Sequence, residues 1–425
     1  MPSNGFCDKL ETLNLDSTHR IVVGVDYGTT FTGACYADIQ EKDRDNITLI
    51  NTWPGPTRDA TSVLKTPSRI AYSADNPRIE SRRWGYQVEP GMVAYSWTKL
   101  LFDRGICLTD FDDPALEGKA GAGMLRLPDG KTAVDVAADY LSEVYKHILA
   151  SIARKITDES LSSTPLEFWF TVPAIWSVQA RNATRTAAQR AGFGNTAARP
   201  NDKIFMISEP EAAAVMALKK YAISGIGGAV KSGDGVLVCD CGGGTVDITT
   251  YLVVQVSPLA FEELCTGNGG KCGSTMVDRN FHQLMSARFG DAFDSLPIKR
   301  KGPGSDFMKK FDSVKRDFGY SNEPTTYELP LKMSVSEPNP EHFDEEESVV
   351  IISDDDLQSI LDPVVGQIVN LVGEQIRAAN DDAERDIVNR IILVGGFGDS
   401  VYLLQVLREL FGSTGKISIT VPDDP

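Results

Sequence analysis

Two stretches of this chain, Ile21-Val22-Val23-Gly24-Val25-Asp26-Tyr27-Gly28-Thr29-Thr30-Phe31-Thr32-Gly33 and Val236-Leu237-Val238-Cys239-Asp240-Cys241-Gly242-Gly243-Gly244-Thr245-Val246-Asp247-Ile248, are near copies of each other. Each is an apolar run, an aspartate, a Gly/Thr turn and a second β-prone run. Runs rich in Val and Ile read as buried strands, so each copy predicts a strand, a turn and a strand. Glycine in the turn lets backbone N–H groups approach an anion, because it has no Cβ and tolerates positive φ. The threonine hydroxyls add donors. An aspartate at the strand end repels phosphate, but it can hold a divalent cation, usually through water, and the cation then neutralises the phosphate. An isolated Asp-x-Gly-Thr turn is commonplace in hairpins. Two copies, in equivalent positions of two roughly equal halves, predict instead two lobes that close on one nucleotide. Neither Gly-x4-Gly-Lys-Ser/Thr nor a strand-led Gly-x-Gly-x-x-Gly is present, so a P-loop and a Rossmann site are both unsupported.

At 425 residues the chain exceeds what one core usually supports, and two or more domains are expected. Its 42% hydrophobic and 24% charged content is that of an ordinary globular protein. A formal net charge of −17 argues against nucleic acid and against an anionic membrane surface as partners, since both reward Lys and Arg. No apolar run approaches the ~18 residues needed to cross a bilayer. The polar first twenty residues lead to no expectation of a secretory signal. Seven cysteines include no Cys-x-x-Cys pair, and the four histidines are scattered without metal-ligand spacing. Cys239 and Cys241 are expected to point to opposite faces of one strand, which would disfavour both a disulfide and a zinc knuckle. The cysteines read as reduced and mostly buried, in a cytoplasmic protein.

Residues 1–19 read as a disordered lead, followed by strands near 20–26 and 31–38. From 51 to about 130 the chain is irregular, yet Trp53, Trp84 and Trp97 predict that it packs. Val136, Tyr140, Val144, Ile148 and Ile152 recur every four residues and predict a helix over 134–155. A strand over 167–172 stops at Pro173, and a helix over 179–191 stops at Gly192. A strand over 204–208 runs into a helix, with Ser208 and Glu211 at capping-box spacing and Pro210 in the first turn. The Gly-rich 225–235 reads as a crossover between lobes. A long helical region is predicted over 273–318, a solvated acidic loop over 335–346 and a helix over 354–379. The strand 390–394 then opens into Gly395-Gly396-Phe397-Gly398 and a helix to 411.

In this order the pieces resemble the nucleotide-binding domain of the seventy-kilodalton heat-shock protein family. Five segments carry the likeness: Val25-Asp26-Tyr27-Gly28-Thr29-Thr30, Phe170-Thr171-Val172-Pro173-Ala174, Ser208-Glu209-Pro210-Glu211-Ala212-Ala213, Asp240 to Asp247, and Ile392-Leu393-Val394-Gly395-Gly396. Together they span nearly the whole chain, and the sequence looks closest to a divergent branch with a degenerate client-binding region. The resemblance implies an α/β fold of the two-lobed actin-like ATPase type, duplicated ribonuclease-H-like domains around a nucleotide cleft. It implies lobe I over 20–228, lobe II over 229–412 with a helical subdomain over 262–349, and a truncated return to lobe I over 413–425. ATP or ADP and Mg2+ are the implied cofactors, and co-chaperone or client proteins the implied partners.

Residue by residue, Asp26, Glu209 and Asp240 resemble the family's carboxylates around the metal, with Asp240 the one that positions the attacking water and Asp247 a second acid of that lobe. Thr29 and Thr30 after Gly28, and Gly242, Gly243, Gly244 and Thr245, match the two phosphate turns. Lys99 looks like the lysine that approaches the γ-phosphate; the plainer reading is a surface lysine. Glu209 would in any case be favourable at a helix N-terminus, and Pro173, which resembles an interlobe switch, would in any case end a strand. Gly395 and Gly396 match the turn that packs on sugar and base. Lys315 and Arg316 resemble a pair suited to ribose and purine, with Asp312 one helical turn earlier, where an i,i+3 ion pair is the alternative. Departures from the family are Phe397-Gly398-Asp399, where Ser-Thr-Arg is usual, and Gly319 in place of a hydroxyl. The implied activity is slow Mg-dependent ATP hydrolysis coupled to lobe closure. A scaffold that binds ATP without turnover and a small-molecule kinase of the same fold remain open.

Overall fold

Alternation along the first quoted stretch seats the first sheet. β1 (Ile21–Tyr27) buries Ile21, Val23, Val25 and Tyr27 on one face and pairs antiparallel with β2 (Phe31–Asp38). The short strands β3 (Thr48–Leu49) and β4 (Lys65–Pro67) both add to β2. β5 (Arg69–Ala71), β6 (Arg83–Trp84) and β7 (Tyr95–Ser96) form a separate small sheet. β8 (Leu166–Val172) and β9 (Lys203–Ser208) extend the main sheet in parallel beyond β1. The structure is a computed structural model; it describes residues 19–39, 47–58, 60–103, 108–110, 112, 116, 124–224, 229–321 and 323–422. The lead 1–19 therefore lies almost wholly outside the described residues, as does part of the 225–235 crossover.

Among the described residues, three α-helices lie between the strands of this sheet. α1 (Ala133–Ala153) starts at a reciprocal capping box between Thr132 and Asp135 and buries Val136, Tyr140, Val144, Ile148 and Ile152. The short α2 (Asp158–Ser163) is capped by Thr157. α3 (Val178–Ala191) is capped by Ser177 and stopped by Gly192 at φ 108°, a left-handed turn that glycine adopts without strain. Trp53, Trp84 and Trp97 are all buried, so the irregular stretch packs as expected.

The second half repeats the plan. β10 (Gly235–Cys241) pairs antiparallel with β11 (Val246–Val256), which takes β12 (Leu259–Glu263) and β13 (Asn268–Gly270). β17 (Val388–Val394) and β18 (Ser418–Thr420) extend it in parallel beyond β10. The orders β3-β2-β1-β8-β9 and β12-β11-β10-β17-β18 correspond strand for strand. In the second half, between β13 and β17 in sequence, lies a small antiparallel sheet of β14 (Thr326–Pro330), β15 (Phe343–Asp344) and β16 (Val349–Ser353). α4 (Glu209–Ser224) leaves the first sheet from β9 but packs Ala214, Ala217 and Leu218 on Val236, Val238, Tyr251 and Ile392 of the second. The connection between halves is thus made by this helix. The other face of the second sheet is covered by α5 (Ser274–Phe289) and the long α9 (Asp354–Asp382), whose cap is Ser353.

Several expectations are corrected. The helical region over 273–318 is broken into α5, α6 (Asp291–Asp294), α7 (Ile298–Lys301) and α8 (Asp306–Asp317). The breaks fall at Gly290, Pro297 and Gly302 to Gly304, where glycine and proline end a helix. The acidic loop over 335–346 is not wholly solvated, because Phe343 is buried in β15. After α10 (Val401–Leu407), Ser418–Thr420 hydrogen-bonds along β17 as the parallel edge of the second sheet, and the expected return to lobe I, carried by 421–425, lies mostly outside the described residues. Cys239 and Cys241 share a face, with sulfurs 3.5 Å apart, because side chains two residues apart on a strand point the same way. Among the described residues no helix is long and apolar enough to cross a membrane.

The halves meet through buried polar contacts. Lys271, after β13, places Nζ 3.0 Å from Asp103 Oδ2. Its backbone N–H donates to Asp112 Oδ1 at 2.6 Å, and Ser177 Oγ donates to Asp103 Oδ1 at 2.5 Å. The Arg279 guanidinium of α5 lies 6.0 Å from the Trp97 ring centre.

Candidate functional site

The two Gly/Thr turns are closed alike. Gly28 N–H donates to Phe31 O at 3.0 Å, and Gly242 N–H donates to Thr245 O at 2.9 Å. They face each other directly. A Cβ on Gly243 would lie 2.5 Å from Thr30 Oγ1, and one on Gly244 would collide with Thr29 Oγ1. Only glycine permits this approach. Behind the second turn, Ser274 and Thr275 at the start of α5 donate their N–H groups to Gly242 O and Gly243 O. The glycine carbonyls are thereby held by a helix N-terminus.

Around the turns converge Asp26, Glu209, Asp240 and Asp247 with Lys65 and Lys99; the lysines act on the Asp26 and Glu209 carboxyls, and Glu209 acts on Asp240 and Asp247. Asp26, near the end of β1, accepts from Lys65 Nζ at 2.8 Å and from Thr171 Oγ1 at 2.9 Å. Burial acts to raise its proton affinity, but Lys65, Lys99 and Thr171 outweigh that and hold the carboxyl below its usual range. Lys99 sits in one turn of 3-10 helix, Thr98–Leu101, and is almost fully buried. It is therefore no surface lysine: Nζ donates to Glu209 Oε1 at 2.7 Å and lies 5.0 Å from the Trp176 ring centre. Glu209 opens α4, and Glu211 N–H donates to Ser208 Oγ at 3.3 Å, one half of the expected capping box. Burial raises the Glu209 carboxyl above its usual range, offset in part by Lys99.

Asp240, the last residue but one of β10, has its Oδ1 against Gly395, and its carboxyl is raised well above the usual range by burial and then by Glu209, Asp247 and Asp26. Gly395 adopts φ +81°, and a Cβ there would also lie 2.6 Å from Cys241 O. Asp247 is fully buried. Its Oδ1 accepts from Ile175 N–H at 3.1 Å. Burial, then Glu209, push its carboxyl up to about 7. Ile175 belongs to the loop after Pro173, so this acid ties the second half to the segment that resembles a switch.

Of the residues expected for sugar and base, Gly395 lies against Asp240, whereas Lys315, Arg316 and Asp312 pair among themselves on α8. Lys315 is buried on α8 with Nζ 2.7 Å from Asp278 and 3.3 Å from Asp312, so the i,i+3 pair exists beside a stronger one. Arg316 is exposed and pairs with Asp312 at 3.1 Å. A Cβ on Gly396 would meet open space, in keeping with a turn that can take a neighbour. Phe397, in place of the usual serine, turns into the core beneath, and its N–H donates to Cys241 O at 2.9 Å.

Asp26, Glu209 and Asp240 are expected to act on a cation largely through water, not as three direct ligands. Among the described residues no three acidic, histidine or cysteine side chains come together closely enough to hold a metal ion. Two of these three carboxylates, Asp26 and Glu209, face lysine ammoniums. Sequence reasoning missed Lys65, Thr171 and the Lys271–Asp103 pair. Thr171 lay within a quoted segment. Lys65 lay in an irregular stretch without periodicity, and only sheet register brings it to Asp26.

A sequence profile of the family described as Hsp70 protein matches residues 22–424. The chain is similar to heat shock 70 kDa protein 12A of Homo sapiens, at 24% identity over 498 aligned residues covering 100% of this chain and 70% of that protein. Heat shock 70 kDa protein 12B of Homo sapiens is 25% identical over 493 residues, covering 96% and 67%. Chaperone protein DnaK of Psychrobacter cryohalolentis is 25% identical over 413 residues, covering 95% of this chain and 56% of that protein. With a match running through both sheets and both turns, this two-lobed α/β chain of the actin-like ATPase fold belongs to the Hsp70 protein family.

Proposed function

We propose that the chain binds ATP between its halves and hydrolyses it slowly, with nucleotide state coupled to how the halves close. One observation carries the reading: the duplicated turns, Thr29-Thr30 and Gly243-Gly244, come face to face beside convergent acids and the buried Lys99. Backbone N–H groups and threonine hydroxyls of the turns would hold β- and γ-phosphates. Lys99, kept in place by Glu209, would stabilise charge on the transferring phosphoryl group. Asp240, whose raised proton affinity suits a proton acceptor, would orient the water that attacks the γ-phosphorus as ADP departs. Gly395, Gly396, Lys315, Arg316 and Asp312 would line the adenosine side. The chaperone-type partners of the family, co-chaperones and clients, are proposed on membership alone.

The test is calorimetric ATP binding and single-turnover hydrolysis by the purified chain. Asp240→Asn and Lys99→Met should each retain nucleotide and lose about a hundredfold in rate, the usual cost of removing a preorganised charged contact. ATP affinity with no phosphate release from the parent would select a binding scaffold. Consumption of ATP only on adding a sugar or polyol would select a kinase.

A further inference from the structure

We propose that Lys65 is the resident counter-cation of the phosphate site, so that this chain binds ATP with little dependence on a divalent metal. The proposal rests on the ATP-binding reading above. Sheet register supplies the geometry. Asp26 stands opposite Gly33 on β2, and Gly33 stands opposite Lys65 on β4, so the three form one row across neighbouring strands. The central glycine leaves room for the lysine stem. A Cβ at Gly33 would lie 3.2 Å from Lys65 Cγ and 3.6 Å from Cε, so the lysine stem lies flat across it. The ammonium arrives 2.8 Å from Asp26 Oδ2, while Thr171 occupies Oδ1.

The matching row of the second half is Asp240, Asp247 and Gly269, with no cation in it. The lysine is thus a feature of this chain's first half, not a demand of the repeated fold. It is also placed to serve a ligand. The side chain keeps 44% of its exposure, against 3% for Lys99. The segment that carries it is tied to the first turn, since Ser68 N–H donates to Thr30 O at 2.8 Å. An ammonium has three donors, so one can stay on Asp26 while others reach phosphate oxygens. That is the work a metal would do between a carboxylate and a phosphate: cancel the repulsion and supply short charge-assisted contacts.

The experiment titrates ATP, and separately adenosine, into the full chain by calorimetry, with magnesium or with EDTA. For the parent, ATP affinity should change by less than about threefold between the two buffers. For Lys65→Met, ATP affinity in EDTA should fall at least about tenfold, the loss of one charge-assisted contact, while adenosine affinity holds. Lys65→Arg should bind like the parent, and melting curves of both variants report that the fold is kept. A parent that loses about a hundredfold in EDTA, or a Lys65→Met that matches it there, overturns the role of Lys65 and leaves ATP binding standing. A parent that binds ATP in neither buffer overturns both.

Discussion

Asp247 carries a proton balance that can be read as stability. Its carboxyl is pushed up to about 7 in the folded chain from an ordinary 3.8. Between those values the native state holds the proton that the unfolded chain has released, so stability falls as pH rises through this window and the loss is complete above about 7. Glu209 and Asp240 are shifted in the same direction and add to the slope. Asp26 acts oppositely: its carboxyl is depressed, so its contribution is present above the usual carboxylate range and is lost in acid. Asn at 247 keeps an acceptor for Ile175 N–H and removes the titration. The melting temperature of Asp247→Asn should therefore vary less with pH between about 4 and 7 than that of the parent. An unchanged slope in a pH series of thermal melts would refute the assignment.

Among the elements, the glycine turn after β17 is tightly specified. Gly395 combines φ +81° with contacts to Asp240 and Cys241 that leave no room for a Cβ. Gly395→Ala should cost about 2 kcal/mol or more in chemical denaturation, from backbone strain and from displacing Asp240. This turn was legible in the sequence, as were both hairpins, because Val/Ile runs ending in Gly punctuate the chain locally. Of the helices, α1 was legible through its four-residue spacing and α3 through its stop at Gly192, and α9 was expected over 354–379. What stayed hidden depends on register between distant strands. Nothing within residues 60–70 announces that Lys65 reaches Asp26, and nothing near 271 points to Asp103. The fate of Phe397 was also unreadable: a phenylalanine in place of serine alters a site only if it faces that site, and here it faces the core.

For the molecule as a whole, the two halves are joined by the Lys271–Asp103 pair, whose side chains keep only 8% and 5% of their exposure. Breaking a buried pair strands a charge, so Lys271→Met should lower stability by on the order of 3 kcal/mol. The same variant should raise hydrogen exchange in the segments around Asp103 and Asp112, where the halves touch. Intact protection with unchanged stability would mean that the pair does not join them. The contact of Thr29 and Thr30 with Gly243 and Gly244 has a kinetic corollary. Any molecule lodged between those residues must wait for them to part. Capture then speeds up with concentration only until the wait itself is slower than collision, after which the intrinsic frequency of parting sets the pace.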